Sequence, residues 1–157
     1  MTNTLRLFLC LVATLAFLTA CKHTPVCYAY CSTPVEGWEK GDTLRYHVDT
    51  LRHDGLYAMS IGIRSSASTP YPYQTLWLVV RQRWHNPERE MCDTVECTLC
   101  SPDGDVTGTG VSVYQYEQPF SQMELTEGAS ADIRITHLMR TEMLPGISDV
   151  GVKIVRQ

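Results

Sequence analysis

The sequence predicts an all-β protein, an antiparallel β-sandwich with a β-barrel as the competing architecture. Three observations carry that expectation. Short stretches alternate apolar and polar residues with a period of two, they are rich in Val, Ile, Thr and Tyr, and clusters of Gly, Pro and Asp separate them. No stretch longer than two turns shows the 3.6-residue apolar stripe of an amphipathic helix.

Taken in order, the chain opens with Arg6 and an apolar run from Leu7 to Leu18 broken only by Thr14, then Thr19, Ala20 and Cys21. This reads as a signal peptide over 1–20 ending in a lipobox, with Cys21 the residue that takes the diacylglycerol. Such a run is too short to cross a bilayer, which takes about 20 apolar residues as a helix. Acyl chains on Cys21 anchor a protein firmly without a spanning segment. After Cys21 the chain to residue 40 holds two prolines, two cysteines and no sustained period, and 21–40 read as a lipidated tether. The β-sandwich domain is expected over 41–157. Leu44, Tyr46 and Val48 mark its first strand, and Tyr57, Met59, Ile61 and Ile63 a longer one with Ala58, Ser60, Gly62 and Arg64 on the other face. The stretch from Thr75 to Val80 is apolar on both faces, as in a central strand. Segments 94–99, 111–116, 132–138 and 150–155 bring the expected strands to seven. The turns between them fall at Asp54-Gly55, Pro70-Tyr71-Pro72, Pro102 to Asp105, Glu127-Gly128 and Pro145-Gly146.

The chain has 157 residues, and 137 remain after position 20, enough for one core and too few for two ordinary domains. Thirteen Lys and Arg stand against 17 Asp and Glu, with no basic cluster in sequence, which argues against nucleic acid as a partner. Of seven cysteines, Cys10 lies in the signal and Cys21 in the lipobox, leaving Cys27, Cys31, Cys92, Cys97 and Cys100. Outside the inner membrane these can form disulfides, Cys27 with Cys31 and two of the later three with each other, and the remaining one is free or pairs elsewhere. Unpaired, partly buried thiols are the alternative. A metal site joining Cys97 and Cys100 to His47 and His53 is the weakest reading, because nothing local gathers the four.

Motifs for catalysis are missing. The five histidines, His23, His47, His53, His85 and His137, are scattered singly, and there is no HExxH, no Gly-x-Ser-x-Gly and no phosphate-binding glycine loop. The glycine-rich stretch from Gly104 to Gly110 lacks a lysine and a following helix, and reads as a hairpin. Asp103 and Asp105 read as a solvated turn rather than a calcium loop. The expectation is therefore a protein without catalytic residues, cofactor or metal.

Several segments carry a family resemblance. They are His137-Leu138-Met139-Arg140 followed by Leu144-Pro145-Gly146-Ile147-Ser148-Asp149-Val150-Gly151-Val152-Lys153-Ile154, then Arg64 with Tyr71-Pro72-Tyr73 and the strand after it, and the hairpin from Leu99 to Gly110. In these the sequence resembles the gliding motility lipoprotein GldH family of Bacteroidota, over most of the mature chain. Cys92, Cys97 and Cys100 depart from that pattern. The resemblance implies an envelope lipoprotein that works with other gliding lipoproteins and, indirectly, with the type IX secretion apparatus. Lys22 and His23 do not form the acidic cluster that resembles a surface-export signal in this phylum, so the periplasmic side of the outer membrane is the expected location.

Within the C-terminal motif, Met139, Leu144, Ile147 and Val150 are expected in the core. Arg140 and Asp149 are expected either to pair with each other and fix the Pro145-Gly146 turn, or to meet a partner. Trp38, Tyr71, Tyr73 and Trp84 are candidate exposed anchors, whereas Trp77 is expected inside. Three hypotheses follow. A non-catalytic subunit binding envelope proteins through an edge or a loop face comes first. A carbohydrate- or peptidoglycan-binding module is the alternative, which a ring of exposed aromatics beside Asp or Asn would favour. A thiol redox role for Cys97 and Cys100 needs a neighbouring cation or helix N-terminus that the local sequence does not supply.

Overall fold

The computed structural model describes residues 24–157, so the signal peptide and Cys21 lie outside the described residues. Ten strands form: β1 (Pro25–Ser32), β2 (Trp38–Glu39), β3 (Leu44–Val48), β4 (Gly55–Ser66), β5 (Thr75–His85), β6 (Arg89–Thr98), β7 (Val113–Leu125), β8 (Ser130–His137), β9 (Met143–Leu144) and β10 (Ile147–Arg156). Two four-stranded antiparallel sheets, ordered β1-β10-β4-β7 and β3-β8-β5-β6, pack face to face. Strands from the two halves of the chain interleave in both sheets, the order of an eight-stranded jelly roll. The sandwich expectation therefore holds, and the sheets do not close into a barrel.

Alternation explains the core. Tyr57, Met59, Ile61 and Ile63 of β4 face inward, as do Leu76, Leu78 and Val80 of β5, Ile133 and Ile135 of β8, and Val150, Val152 and Ile154 of β10. Each fully buried aliphatic side chain of this kind contributes about 1.5–3 kcal/mol relative to exposure. A buried hydrogen bond joins the layers, the Tyr46 hydroxyl donating to the Val150 carbonyl at 2.7 Å. Burial pushes the Tyr46 hydroxyl pKa upward, so it stays a donor at any physiological pH.

Two expectations need correction. The segment read as a tether is mostly folded: β1 pairs with β10 from Pro25 to Ser32 and forms one edge of its sheet. Its inward residues are Cys27, Ala29 and Cys31, small or sulfur-bearing side chains that pack like modest hydrophobes but do not look like a strand's apolar face. The second missed element is the two-residue ribbon of β2 and β9, where Trp38 pairs with Leu144. Both side chains are fully buried, so the ribbon closes one end of the sandwich.

Strand direction fixes two ends. One carries the β4–β5 and β6–β7 connections, the loop after β1 and the Pro145-Gly146 turn. The other carries Pro25, paired with Val155, and the β3–β4, β5–β6 and β7–β8 connections.

Candidate functional site

The segments that carry the family resemblance, distant in sequence, meet at the first of these ends. Gly146 sits at φ +84°, a left-handed conformation that favours glycine, and an added Cβ would lie 2.6 Å from the Tyr71 backbone nitrogen and Cα. The Ser66 N–H donates to the Gly146 carbonyl at 3.0 Å, and the Ser148 hydroxyl donates to the Arg64 carbonyl at 3.1 Å. Thr33, after β1, ties in through its N–H to the Ser148 carbonyl and its hydroxyl to the Ile147 carbonyl. The Gln74 carbonyl accepts the N–H groups of both Leu99 and Cys100, which fastens the β6–β7 hairpin to the Tyr-Pro-Tyr segment. Tyr71 lies beneath this junction with its hydroxyl donating to the Thr75 carbonyl at 3.0 Å. Burial, with Tyr73, Cys97 and Cys100 nearby, raises that hydroxyl's pKa, so its role is structural.

Several anchor candidates exchange places. Trp38, Trp84 and Tyr71 are buried, whereas Trp77 is 38% exposed and Tyr73 41% exposed. For Trp77 the reason is parity: Leu76 and Leu78 point inward, so the residue between them points out. Trp38 donates from Nε1 to the Asp42 carbonyl at 3.1 Å and meets His137 edge-on at 5.1 Å. His137 in turn donates from Nε2 to the Trp38 carbonyl at 3.2 Å and accepts the Met139 N–H at Nδ1. Burial lowers its pKa, so the neutral ring bridges sheet and ribbon at neutral pH. Trp84 donates to Gln82 Oε1, and Gln82 donates to Asp93, a satisfied inner chain.

Leu144, Ile147 and Val150 are buried as expected, and Met139 packs partly against the core. Arg140 and Asp149 do not pair. Asp149 stands in β10 opposite Arg64 of β4 and accepts the Ser32 hydroxyl at 2.8 Å, whereas Arg140 is exposed in the connection that leaves the other sheet. Among the described residues Arg140 makes no ion pair.

The five described cysteines are free thiols. Cys27 and Cys31 lie four residues apart on one strand, about 13 Å at strand rise, and Cys92 stands five residues from Cys97 on the opposite face of β6, about 16 Å. A disulfide needs its Cα atoms within about 7 Å, so neither Cys27–Cys31 nor Cys92–Cys97 can form, and Cys100 is likewise a free thiol. Cys97 points into the core, and burial pushes its thiol up to about 12, with Glu96 adding to the effect. That is the reverse of an activated thiol. Nor do His47 and His53 join Cys97 and Cys100; among the described residues no group of three or more His, Cys, Asp or Glu is placed to hold a metal ion. Maleimide labelling of the native protein is expected to modify exposed Cys92 within minutes and Cys97 only after urea. Mass spectrometry of the labelled protein checks this, and two thiols that resist labelling in urea until reduced would refute the unpaired state.

Beyond the residues the sequence singled out, the outer face of the β1-β10-β4-β7 sheet carries a built cluster. The Tyr30 ring lies across Gly151 and Gly62, which face each other in adjacent strands, and the Arg64 guanidinium stacks on the ring 3.9 Å from its centroid. Beside it Lys153 donates to Glu117 at 2.9 Å and Ser60 donates to Glu117 at 2.9 Å. Lys153 is the main reason the Glu117 carboxyl sits below its usual range. A cleft of about 470 Å³ opens between Tyr28 and Tyr30 on one side and Thr107 and Thr109 on the other. Its sequence signal was glycine inside two strands, which marks close approach, but reading it required β1 to be recognised as a strand.

The same end of the sandwich that gathers the motifs also gathers exposed apolar side chains. Val35 (95% exposed) follows β1, Tyr73 and Trp77 flank the start of β5, Val111 (86%) precedes β7, and Leu138 and Met143 flank the connection after β8.

No curated protein matches the chain. Among solved structures, a family GH115 4-O-methyl-α-glucuronidase with specificity for decorated arabinogalactans is similar at 15% identity and TM-score 0.44, over 87% of this chain. The chain spans 18% of that enzyme's length. A protein from Sulfurospirillum deleyianum is similar at 9% identity and TM-score 0.45, over 83% of this chain and 98% of its own. The Eiger TNF of S. frugiperda is similar at 14% identity and TM-score 0.30, over 83% and 92%. The family model described as GldH lipoprotein matches residues 26–154, from the second residue of β1 to within two residues of the end of β10. That match takes in every segment converging around Gly146, and membership of a lipoprotein family implies a lipid-anchored place in the cell envelope: the chain belongs to the GldH lipoprotein family.

Proposed function

We propose that this protein is a non-catalytic subunit of envelope machinery for gliding motility or type IX secretion, binding other envelope proteins through the loop end of its jelly roll. In this reading residues 1–20 are removed, Cys21 carries the lipid, and the domain faces the periplasm from the outer membrane. The observation that carries it is the concentration of exposed apolar side chains, Val35, Tyr73, Trp77, Val111, Leu138 and Met143, at the end opposite Pro25. Cys21 is four residues before Pro25, a reach of about 14 Å at most, so a lipid there tethers the other end and leaves the apolar end facing away from the membrane. Exposed apolar surface of this kind marks protein contacts, with aromatic side chains supplying most of the binding energy. Its composition, aliphatic as much as aromatic, fits a protein better than a sugar ring.

The test is affinity purification of the lipidated protein from its own cells after mild cross-linking, beside a variant carrying Tyr73→Ser, Trp77→Ser and Leu138→Ser. Envelope lipoproteins or secretion components are expected with the parent and lost from the variant. Equal recovery from both, or recovery of glycan without protein, would overturn the proposal.

A further inference from the structure

The outer face of the β3-β8-β5-β6 sheet holds an arrangement that the loop-end reading leaves unused. Arg45 of β3 faces Arg134 of β8, and Arg134 faces Arg81 of β5, with exposed Cys92 of β6 next in the same row. Three arginines thus stand side by side across three strands, at the inter-strand step of about 4.8 Å. Like charges directly opposite one another destabilise a sheet. Among the described residues none of the three has a carboxylate within 4.0 Å.

The neighbouring rows do not relieve them. Toward the loop end the row is Thr136, Val79 and Thr94, which carries no charge. On the other side Asp132 is occupied by His47 and His85 at 3.1 Å each, and Glu90 pairs with Arg83 at 3.7 Å. The histidine contacts hold the Asp132 carboxyl below its usual range, so it stays an anion committed to them. A cleft of about 400 Å³ covers the Arg81 and Arg134 part of the row together with the paired Arg83, Glu90 and Asp132 beside it, and Arg45 extends the row beyond the cleft. The chain as a whole is acidic, with a net charge of −4, so an uncompensated cationic row is a local exception to its surface.

We propose that the Arg45–Arg134–Arg81 row is a binding site for an acidic polysaccharide, a uronate-bearing glycan laid across the strands. Guanidinium groups bind carboxylates with two parallel hydrogen bonds, which suits one uronate per arginine. The row delivers one cation per inter-strand step along a line, close to the residue repeat of an extended 1,4-linked uronan. It starts on the edge strand β3 and reaches Arg81 on β5, beside which only the uncharged Cys92 of the edge strand β6 stands, so a polymer can enter and leave at both sides. A flat anionic membrane fits less well, because it responds to the total charge of the face, where the four arginines 45, 81, 83 and 134 stand against Glu90, Glu96 and Asp132. A linear ligand on the row meets only the unpaired cations. This site lies on a sheet face and not at the loop end, so it stands or falls independently of the partner-binding reading.

The test uses the full lipidated protein in detergent, titrated by calorimetry with pentagalacturonate, with a neutral oligosaccharide of the same length, and with phosphatidylglycerol vesicles. Pentagalacturonate is expected to bind, to weaken as NaCl is raised from 50 to 500 mM, and to weaken at least tenfold in R81Q/R134Q. R45Q, on an edge strand, is expected to lose several-fold with an unchanged melting temperature, which separates binding from folding. R81Q/R134Q is expected to melt no lower than the parent, since an unfavourable juxtaposition is removed. The proposal is overturned by absence of pentagalacturonate binding at millimolar concentration, by equal binding of the neutral oligosaccharide, by equal affinity of R45Q and parent, or by vesicle binding that R81Q/R134Q abolishes while pentagalacturonate is ignored.

Discussion

Gly146→Ala is expected to destabilise the protein by about 3 kcal/mol, combining about 1–2 kcal/mol for an L-residue in a left-handed conformation with an overpacking term of similar size. The added methyl would meet backbone, the Tyr71 nitrogen and Cα at 2.6 Å and the Pro70 carbonyl carbon at 2.9 Å, so no side-chain rotation relieves it. Gly104→Ala supplies the control. Gly104 also has a positive φ, +89°, but nothing lies within 4 Å of its added Cβ, so only the conformational part, about 1–2 kcal/mol, is expected. Urea denaturation followed by far-UV circular dichroism measures both. Equal losses for the two variants would mean that the Tyr71 segment yields freely and that the convergence of motifs around Gly146 is not a rigid junction. A larger loss for Gly146→Ala would show that the junction of Gly146 with the Tyr71 segment is rigid.

The strands with long inward aliphatic series were legible because period two and branched side chains are local properties: β4, β5, β8 and β10 all contain segments read from sequence. Element pairing was not legible, and most of the site depends on it. Whether Asp149 meets Arg140 or Ser32 is decided by which strand lies beside β10, a question of topology that no spacing along the chain answers. The arginine row shows the same limit. Arg81 and Arg83 alternate visibly on one strand, but the alignment of Arg45, Arg134 and Arg81 exists only once β3, β8 and β5 are neighbours in register. Where local pattern misled, it was through residues of mixed character. Cysteine and alanine disguise the inner face of β1, and in β5 a stretch apolar on both faces hides the parity that turns Trp77 outward between Leu76 and Leu78.

Trp38 gives that last point its quantitative form. Trp38→Ala is expected to cost about 3–5 kcal/mol, the range for truncating a fully buried tryptophan, because its neighbours belong to different elements and cannot collapse onto the space together. The β2–β9 ribbon has two residues per strand and is held chiefly by the pairing of Trp38 with Leu144 and by the edge-on contact with His137. Trp38→Phe keeps most of the packing and removes the Nε1 donor to the Asp42 carbonyl, so a loss nearer 1–2 kcal/mol is expected, one hydrogen bond plus a small void. Trp77→Ala, at an outward position of β5, is expected to cost about 1 kcal/mol, the span of strand preference on a half-covered face and well below the loss for Trp38→Ala. Thermal melts of the three variants test the assignment directly. A Trp77→Ala loss matching that of Trp38→Ala would put Trp77 in the core after all and remove it from the exposed surface proposed to bind a partner. A large Trp38 effect beside a small Trp77 effect separates the two roles, because a residue that contributes little to folding and yet is needed for co-purification acts on the partner itself.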